Sequence, residues 1–440
     1  MDSGTGTQAG HEGTGGSLTL GGSNNAVNGL GGTQPSLGGA SNVGVLASGG
    51  HLGTGGVPCT GGFGATGSGE NDVGLDRAGE EVSGKTKLVA KSIASGYGAQ
   101  TCAVLSDDTV RCWGNMNDST TEYWTPITVP VTVDGIANTV SISSGYAGHN
   151  CVLLGNGTIQ CWGNLCECWD RGCPCAGSSV PATVSGVTSA VAVSAGAFHN
   201  CGLLGNGSVQ CWGYNLSGQL GDGTTMASSP VALTDFSPVM VTGIKSAAAV
   251  AAGALHTCAL LIDGTVQCWG NILGSTSFLA ISPVPMTISG ITDAIAIASG
   301  PDATCAVLRG GTIQCLGSIR GGLGDGTTYS SSVPVTVAGI SNAMAIAPGE
   351  LHACALLRDG TVACCGWNEY GQLGNGSATS SDVPTKVSGI TNAVAVIVAD
   401  WHSCALLSSG SVQCWGYNYD GRLGIGGTGD RSVPTTVAGF

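Results

Sequence analysis

The chain of 440 residues carries 77 glycines, 9% charged and 5% aromatic residues, and a net charge of −14. Its 13 basic residues are scattered singly from Arg77 to Arg431, so no cluster neutralises a run of phosphates, which excludes nucleic acid and anionic membrane surfaces as partners. No apolar run reaches the roughly eighteen residues of a spanning helix, and short Val-, Ile-, Ala- and Thr-rich segments between glycines predict an all-β chain with almost no helix and no membrane insertion.

Residues 1–84 are low-complexity Gly, Ser, Thr and Asn. They lack the apolar content that would offset the cost of ordering, so a disordered tail or linker is expected, suited to holding a folded head away from an envelope surface. From residue 85 to 440 the sequence repeats. The fifth copy shows the unit: strands at Ala294–Ala298, Thr304–Leu308, Thr312–Leu316 and Val333–Val337, separated by Gly-rich turns. Four short strands repeated seven times predict a seven-bladed β-propeller of four-stranded blades, because such sheets bury their faces only against one another. A first strand near Leu88 and a last at Val433–Val437 are expected to meet and close the ring; the sequence does not say whether a fourth strand joins its own blade or the next.

Each repeat holds two cysteines ten residues apart: Cys102/Cys112, Cys151/Cys161, Cys201/Cys211, Cys258/Cys268, Cys305/Cys315, Cys354/Cys364 and Cys404/Cys414. The residues between them alternate toward a Gly that accepts positive φ, as at Asp263-Gly264 or Asn156-Gly157, so each pair brackets a hairpin. A three-residue loop such as Ile262-Asp263-Gly264 sets the cysteines directly opposite, about 4.5–5.5 Å apart, which a disulfide spans; a two-residue turn staggers them. Buried free thiols are the alternative, but constant spacing in every repeat favours bridges, each worth about 3 kcal/mol in the chain-entropy model.

The second repeat departs from the pattern with Cys166, Cys168, Cys173 and Cys175 around Trp169, Asp170 and Arg171. Two Cys-x-Cys pairs can hold zinc, but in an oxidising setting two further disulfides are expected, making a rigid knuckle whose Trp169, Asp170 and Arg171 are candidate partner-binding residues. The third unit is lengthened near Thr234–Thr242, and Cys59 and Cys365 stay outside the pairing pattern.

Two columns tempt a chemical reading. His149, His199, His256, His352 and His402 stand two residues before the first Cys, replaced by Gln100 and Ala303 in the other repeats. They are read as structural corner residues bonding to backbone, not a metal ring. Trp113, Trp162, Trp212, Trp269 and Trp415 follow the second Cys, with Leu316 and Cys365 elsewhere, and are read as packing between blades. The Asp222 and Asp325 loops supply too few oxygens for calcium and are read as turns. No nucleophile, base or carboxylate pair recurs at interpretable spacing. No catalytic residue, metal or cofactor is assigned, and the chain is read as a non-enzyme.

The His-x-Cys and Cys-Trp-Gly spacing, with the loops Gly218–Thr224 (GQLGDGT) and Gly371–Ser377 (GQLGNGS), resembles the regulator-of-chromosome-condensation repeat family, in its Cys-rich bacterial type, over all seven units. The resemblance implies a propeller and leaves activity open among exchange factors, photoreceptors and enzyme inhibitors. Family photoreceptors cluster tryptophans beside the repeat His and Arg, where this chain offers only Trp401. The expected function is therefore non-catalytic protein binding through loops on one face, by a monomer whose partner the residues do not name. Guanine-nucleotide exchange on a small GTPase in the cytoplasm and secreted enzyme inhibition are the alternatives. Twenty cysteines place the protein outside the cell or in its envelope, although no leader is visible at Met1.

Overall fold

The computed structural model describes residues 88–440 apart from 97–98, 116–125, 146–147, 165–176, 226–236 and 273–280. The first blade pairs Ala90–Ser95, Gln100–Leu105, Val110–Gly114 and Ile127–Thr132 antiparallel in that order, and six further four-stranded sheets follow, the last running from Ala393–Val398 to Arg431–Thr436. The described residues contain no helix. Every fourth strand pairs within its own blade, which settles the point the sequence left open.

The central hairpins form as their sequence dictates. Leu261 and Thr265 close a loop in which Gly264 takes φ +85°, and the register then sets Cys258 opposite Cys268. The seven expected pairs are all disulfides: Cys102–Cys112, Cys151–Cys161, Cys201–Cys211, Cys258–Cys268, Cys305–Cys315, Cys354–Cys364 and Cys404–Cys414. Their Cα separations of 4.0–4.1 Å correct the wider spacing expected from an unbridged strand pair, because each bridge draws its two strands together. Against the fourth strand the register shifts between Cys112 and Gly114, and likewise in five other blades, because the fourth strand carries two extra residues at this point.

The core lies between blades, in seven apolar clusters. Each disulfide packs in one cluster with the Trp-column residue of the following blade: Cys102 and Cys112 with Trp162, Cys151 and Cys161 with Trp212, Cys201 and Cys211 with Trp269, Cys354 and Cys364 with Trp415, Cys404 and Cys414 with Trp113. Trp113, Trp212, Trp269 and Trp415 are fully buried, as their reading as core requires. In the sixth blade this place is held by the thiol of Cys365, buried against the cluster of Cys305 and Cys315. Ring closure follows the same rules, with Ala90 N–H donating to Gly410 O at 2.9 Å and Phe440 meeting Trp113 edge-on at 5.8 Å.

Candidate functional site

The two faces of the ring differ. On one, the hairpins between second and third strands repeat a single turn, in which Asp107, Asn156, Asn206, Asp263 or Asp359 accepts the backbone N–H two residues on. The other carries the first-to-second-strand corners and the connections from Gly114 to Ile127, Asn164 to Gly177, Gly213 to Val239, Asn271 to Ile281, Gly317 to Ser331, Gly366 to Ser381 and Gly416 to Arg431. Variation concentrates there, as is usual for recognition loops on a rigid scaffold.

The fourteen bridged cysteines are not part of either surface. Cys161 and Cys364 are as deeply buried as the rest, so the bridges the sequence offered as site residues act as staples inside the blades and not as points of contact. The backbone carbonyl of Cys364 is engaged as well, accepting from Thr385 Oγ1 at 3.1 Å.

Below the loop face the His column joins blades. His199 Nε2 meets Thr257 Oγ1 at 2.8 Å, His256 meets Thr304 at 2.8 Å, His352 meets Ser403 at 2.7 Å and His402 meets Thr101 at 2.8 Å, always in the next blade. His149 bonds Asn200 Oδ1 at 2.9 Å, and Asn150 donates to Gln100 Oε1 at 2.8 Å. The corner residues therefore bond side chains across the blade seam, which the sequence reading as backbone-bonding corners did not anticipate. Thr257 Oγ1 in turn donates to Gln219 O at 2.9 Å, so its lone pairs accept from His199 Nε2–H. The same carbonyl accepts from Trp269 Nε1 at 2.9 Å, and Gln372 O and Arg422 O receive Trp415 and Trp113 in the same way. The Gly-Gln-Leu-Gly loop is thus a socket for the next blade's indole. Gly374, at φ +66°, places its Cα so close that a Cβ would lie 2.6 Å from Trp415 Nε1.

Burial holds the imidazoles neutral: His149 and His256 are lowered to about 4, His199 and His352 to about 3, and His402 well below its ordinary value. The Asp222 and Asp325 carboxylates accept from Thr224 and Thr327 as turn residues. Between blades 5 and 6 the clamp is missing throughout, with Ala303 for His, Ala353 for the hydroxyl and Cys365 for Trp. Arg320 bridges that seam instead, its Nε 2.9 Å from Glu350.

Above the clamp, blades 6 and 7 gather aromatic rings that the sequence reading missed. Trp401 lies 6.2 Å from Trp367, 5.4 Å from Tyr370 and 6.3 Å from Tyr417; Tyr370 and Tyr417 are 4.8 Å apart, and Tyr417 stacks on Tyr419 at 6.4 Å. Arg422, buried and paired to Asp420, lies 4.8 Å from the Tyr417 ring centre. Trp401 is therefore not isolated. The missed signal is the residue before His read together with the residue after Trp-Gly, which the backbone joins: Tyr417 N–H donates to Trp401 O at 2.8 Å, and in blade 3 Tyr214 N–H donates to Phe198 O at 2.9 Å. Trp367 also walls a groove of about 380 Å³ with Arg320, Thr328, Ser380, Ser381 and Asp382.

At the axis the seven corners leave a mouth of about 40 Å³ lined by Ser95, Ser144, Gly196, Gly253, Gly300 and Asp400. Burial, with Glu350 nearby, raises the Asp400 carboxyl well above its ordinary value, and its Oδ1 has no hydrogen-bond partner among the described residues. The described residues hold no cluster of metal-binding side chains. The proposed knuckle, Cys166, Cys168, Trp169, Asp170, Arg171, Cys173 and Cys175, lies outside the described residues, as does Cys59; the flanking strand ends, Asn164 and Gly177, stand on the loop face.

Family models described as regulator of chromosome condensation (RCC1) repeat match residues 359–406 and, separately, 190–219, 247–271, 345–372 and 400–422. No curated protein matches the chain. Among solved structures, Prp20p from Saccharomyces cerevisiae, described with its binding properties to Gsp1p and histones, is similar with a TM-score of 0.59 at 21% identity, over 75% of this chain and 85% of its own. Human WBSCR16 gives 0.59 at 20%, over 74% and 89%. Yeast RCC1 (Prp20) bound to Kap60 gives 0.58 at 20%, over 82% and 91%. At these identities the likeness is one of fold. The matched segments carry the histidines, disulfides and loop sockets that join the blades, and over these segments the chain is similar to the regulator-of-chromosome-condensation repeat.

Proposed function

We propose that this propeller is a non-catalytic binding protein of a non-reducing compartment, outside the cell or in its envelope, that engages a protein partner through its loop face. The observation that carries the reading is the contrast between the faces: uniform tight turns on one, and on the other connections of 9 to 25 residues over a ring stapled by buried disulfides. Seven cystines are favoured where no reductant keeps thiols free. The Prp20p structures are described as binding Gsp1p, histones and Kap60, which supports protein recognition as a use of this architecture. The reading makes residues 1–84 a tether, residues 85–440 a monomeric head, and Trp169, Asp170 and Arg171 the first anchor.

A photoreactive phenylalanine analogue at Trp169 should form an adduct with one protein in the native setting, competed by excess unlabelled propeller. The same analogue at Asp263 on the opposite face should form none. Equal adducts at both positions, or none at Trp169 and Arg171, would overturn the reading. N-terminal sequencing of fractionated cells tests the compartment, since a cytoplasmic form with reduced pairs contradicts export. The rival reading, nucleotide exchange, predicts accelerated release of labelled GDP from a small GTPase; a reactive GTPase would replace the binding-protein reading.

A further inference from the structure

We propose that the strip running from the Trp367 groove to Tyr419 is a binding site for a neutral linear oligosaccharide, separate from any protein contact. Four rings follow one another along it, Trp367, Trp401, Tyr417 and Tyr419, in steps of 6.2, 6.3 and 6.4 Å. All are partly or largely exposed, Tyr419 at 69%. A water-soluble fold rarely leaves such a row uncovered without use.

The row is held in place from beside and below. Tyr370 meets both Trp401 and Tyr417, and the Arg422 guanidinium sits against Tyr417, itself fixed by Asp420. A preformed platform costs little ordering on binding, which matters for a ligand offering weak contacts per unit. The adjoining groove, at about 380 Å³, sets Arg320, Thr328, Ser380, Ser381 and Asp382 around the one indole of Trp367. That pairing of an aromatic wall with donors and acceptors suits a sugar, whose ring presents a C–H face to a π surface and hydroxyls to polar side chains around its edge.

Charge separates this ligand from the other that stacks on aromatic rows. Nucleobases stack equally well, but their phosphates need free cations. Arg320 pairs with Glu350 and Arg422 with Asp420, while Arg431, whose guanidinium bonds the carbonyls of Gly429 and Asp430, keeps its charge but is outnumbered by carboxylates. Glu369, Asp382 and Asp430 add further negative charge along the two loops. A neutral chain meets no such repulsion.

The test uses the full chain with cellohexaose, hexa-N-acetylchitohexaose, xylohexaose and mannohexaose, followed by titration calorimetry and tryptophan emission. At least one should bind with a change in emission, and Trp367→Ala, Trp401→Ala and Tyr419→Ala should each weaken it by about tenfold or more. Ile262→Ala on the opposite face should leave it unchanged. Because Trp401→Ala can disturb folding, Asp382→Asn at the exposed groove rim serves as a second variant and should also weaken binding. Failure of all four sugars, binding indifferent to Trp367→Ala and Asp382→Asn, or capture of decaproline in their place would overturn the proposal. None of these results depends on whether Trp169 contacts a protein.

Discussion

His402 Nε2 lies 2.8 Å from Thr101 Oγ1, across 301 residues of sequence, and joins the last blade to the first. It is the same bond that His199 makes to Thr257 between consecutive blades, so ring closure uses no device absent from the other seams. Removing Thr257 Oγ1 by Thr257→Val strands a buried imidazole N–H and should cost about 1–3 kcal/mol. In a double-mutant cycle, His199→Ala with Thr257→Val should cost less than the sum of the single changes. The natural pair Ala303 and Ala353 already shows both partners absent together. Chemical denaturation of the four proteins measures the coupling, and strict additivity would contradict the bond.

Acid should loosen the ring. In the unfolded chain these histidines take up protons near pH 6.5, whereas in the folded ring four wait until about 3 or 4. Between those limits the unfolded state binds more protons, so stability is complete above about pH 6.5 and falls as pH drops. At pH 5 each ring contributes a loss of about 2 kcal/mol. A thermal midpoint flat from pH 7 to 9 and falling steeply below pH 6 is the expected profile; a flat line to pH 4 would place the imidazoles in contact with water.

Asp400 runs the other way. Its carboxyl is raised by burial, so ionisation of the unfolded chain above the ordinary carboxylate range draws stability from the fold as pH rises. Asp400→Asn should therefore raise the midpoint at pH 7 and leave it nearly unchanged at pH 3, read by calorimetry at the two pH values.

Each cystine should matter about equally. Replacing Cys258 and Cys268 together by Ala should lower stability by about 3 kcal/mol, less any relief of packing strain, and replacing Cys151 with Cys161 or Cys354 with Cys364 should cost the same. Urea denaturation of the double variants measures it. Cys365 should stay unmodified by iodoacetamide at pH 8 in the native protein, because burial pushes its thiol up to about 12, and react on unfolding, as peptide mass mapping will show.

Much of this architecture is legible in the residues. The spacing from Cys258 to Cys268 fixes the hairpin loop, the register and the bridge, because a strand pair allows few geometries. The Trp column announces interblade packing, since nothing else buries an indole beside a bridge. The partner of each His is not legible locally: Thr257 is adjacent in sequence to His256 yet serves His199, and only stacking of the blades reveals it. The aromatic strip is hidden for the same reason, as Trp367 and Trp401 belong to different repeats and meet only in the ring.

Since every fourth strand stays in its own sheet, no blade is defined by holding a piece of another. No blade is therefore obliged by its strand pairing to come first. Opening the backbone between Thr336 and Ala343 and joining Phe440 to the residues before Ala90 should leave a circular permutant with the same sheets and the same cystines. Growth or loss of whole vanes by gene duplication needs no rewoven strand to accompany it.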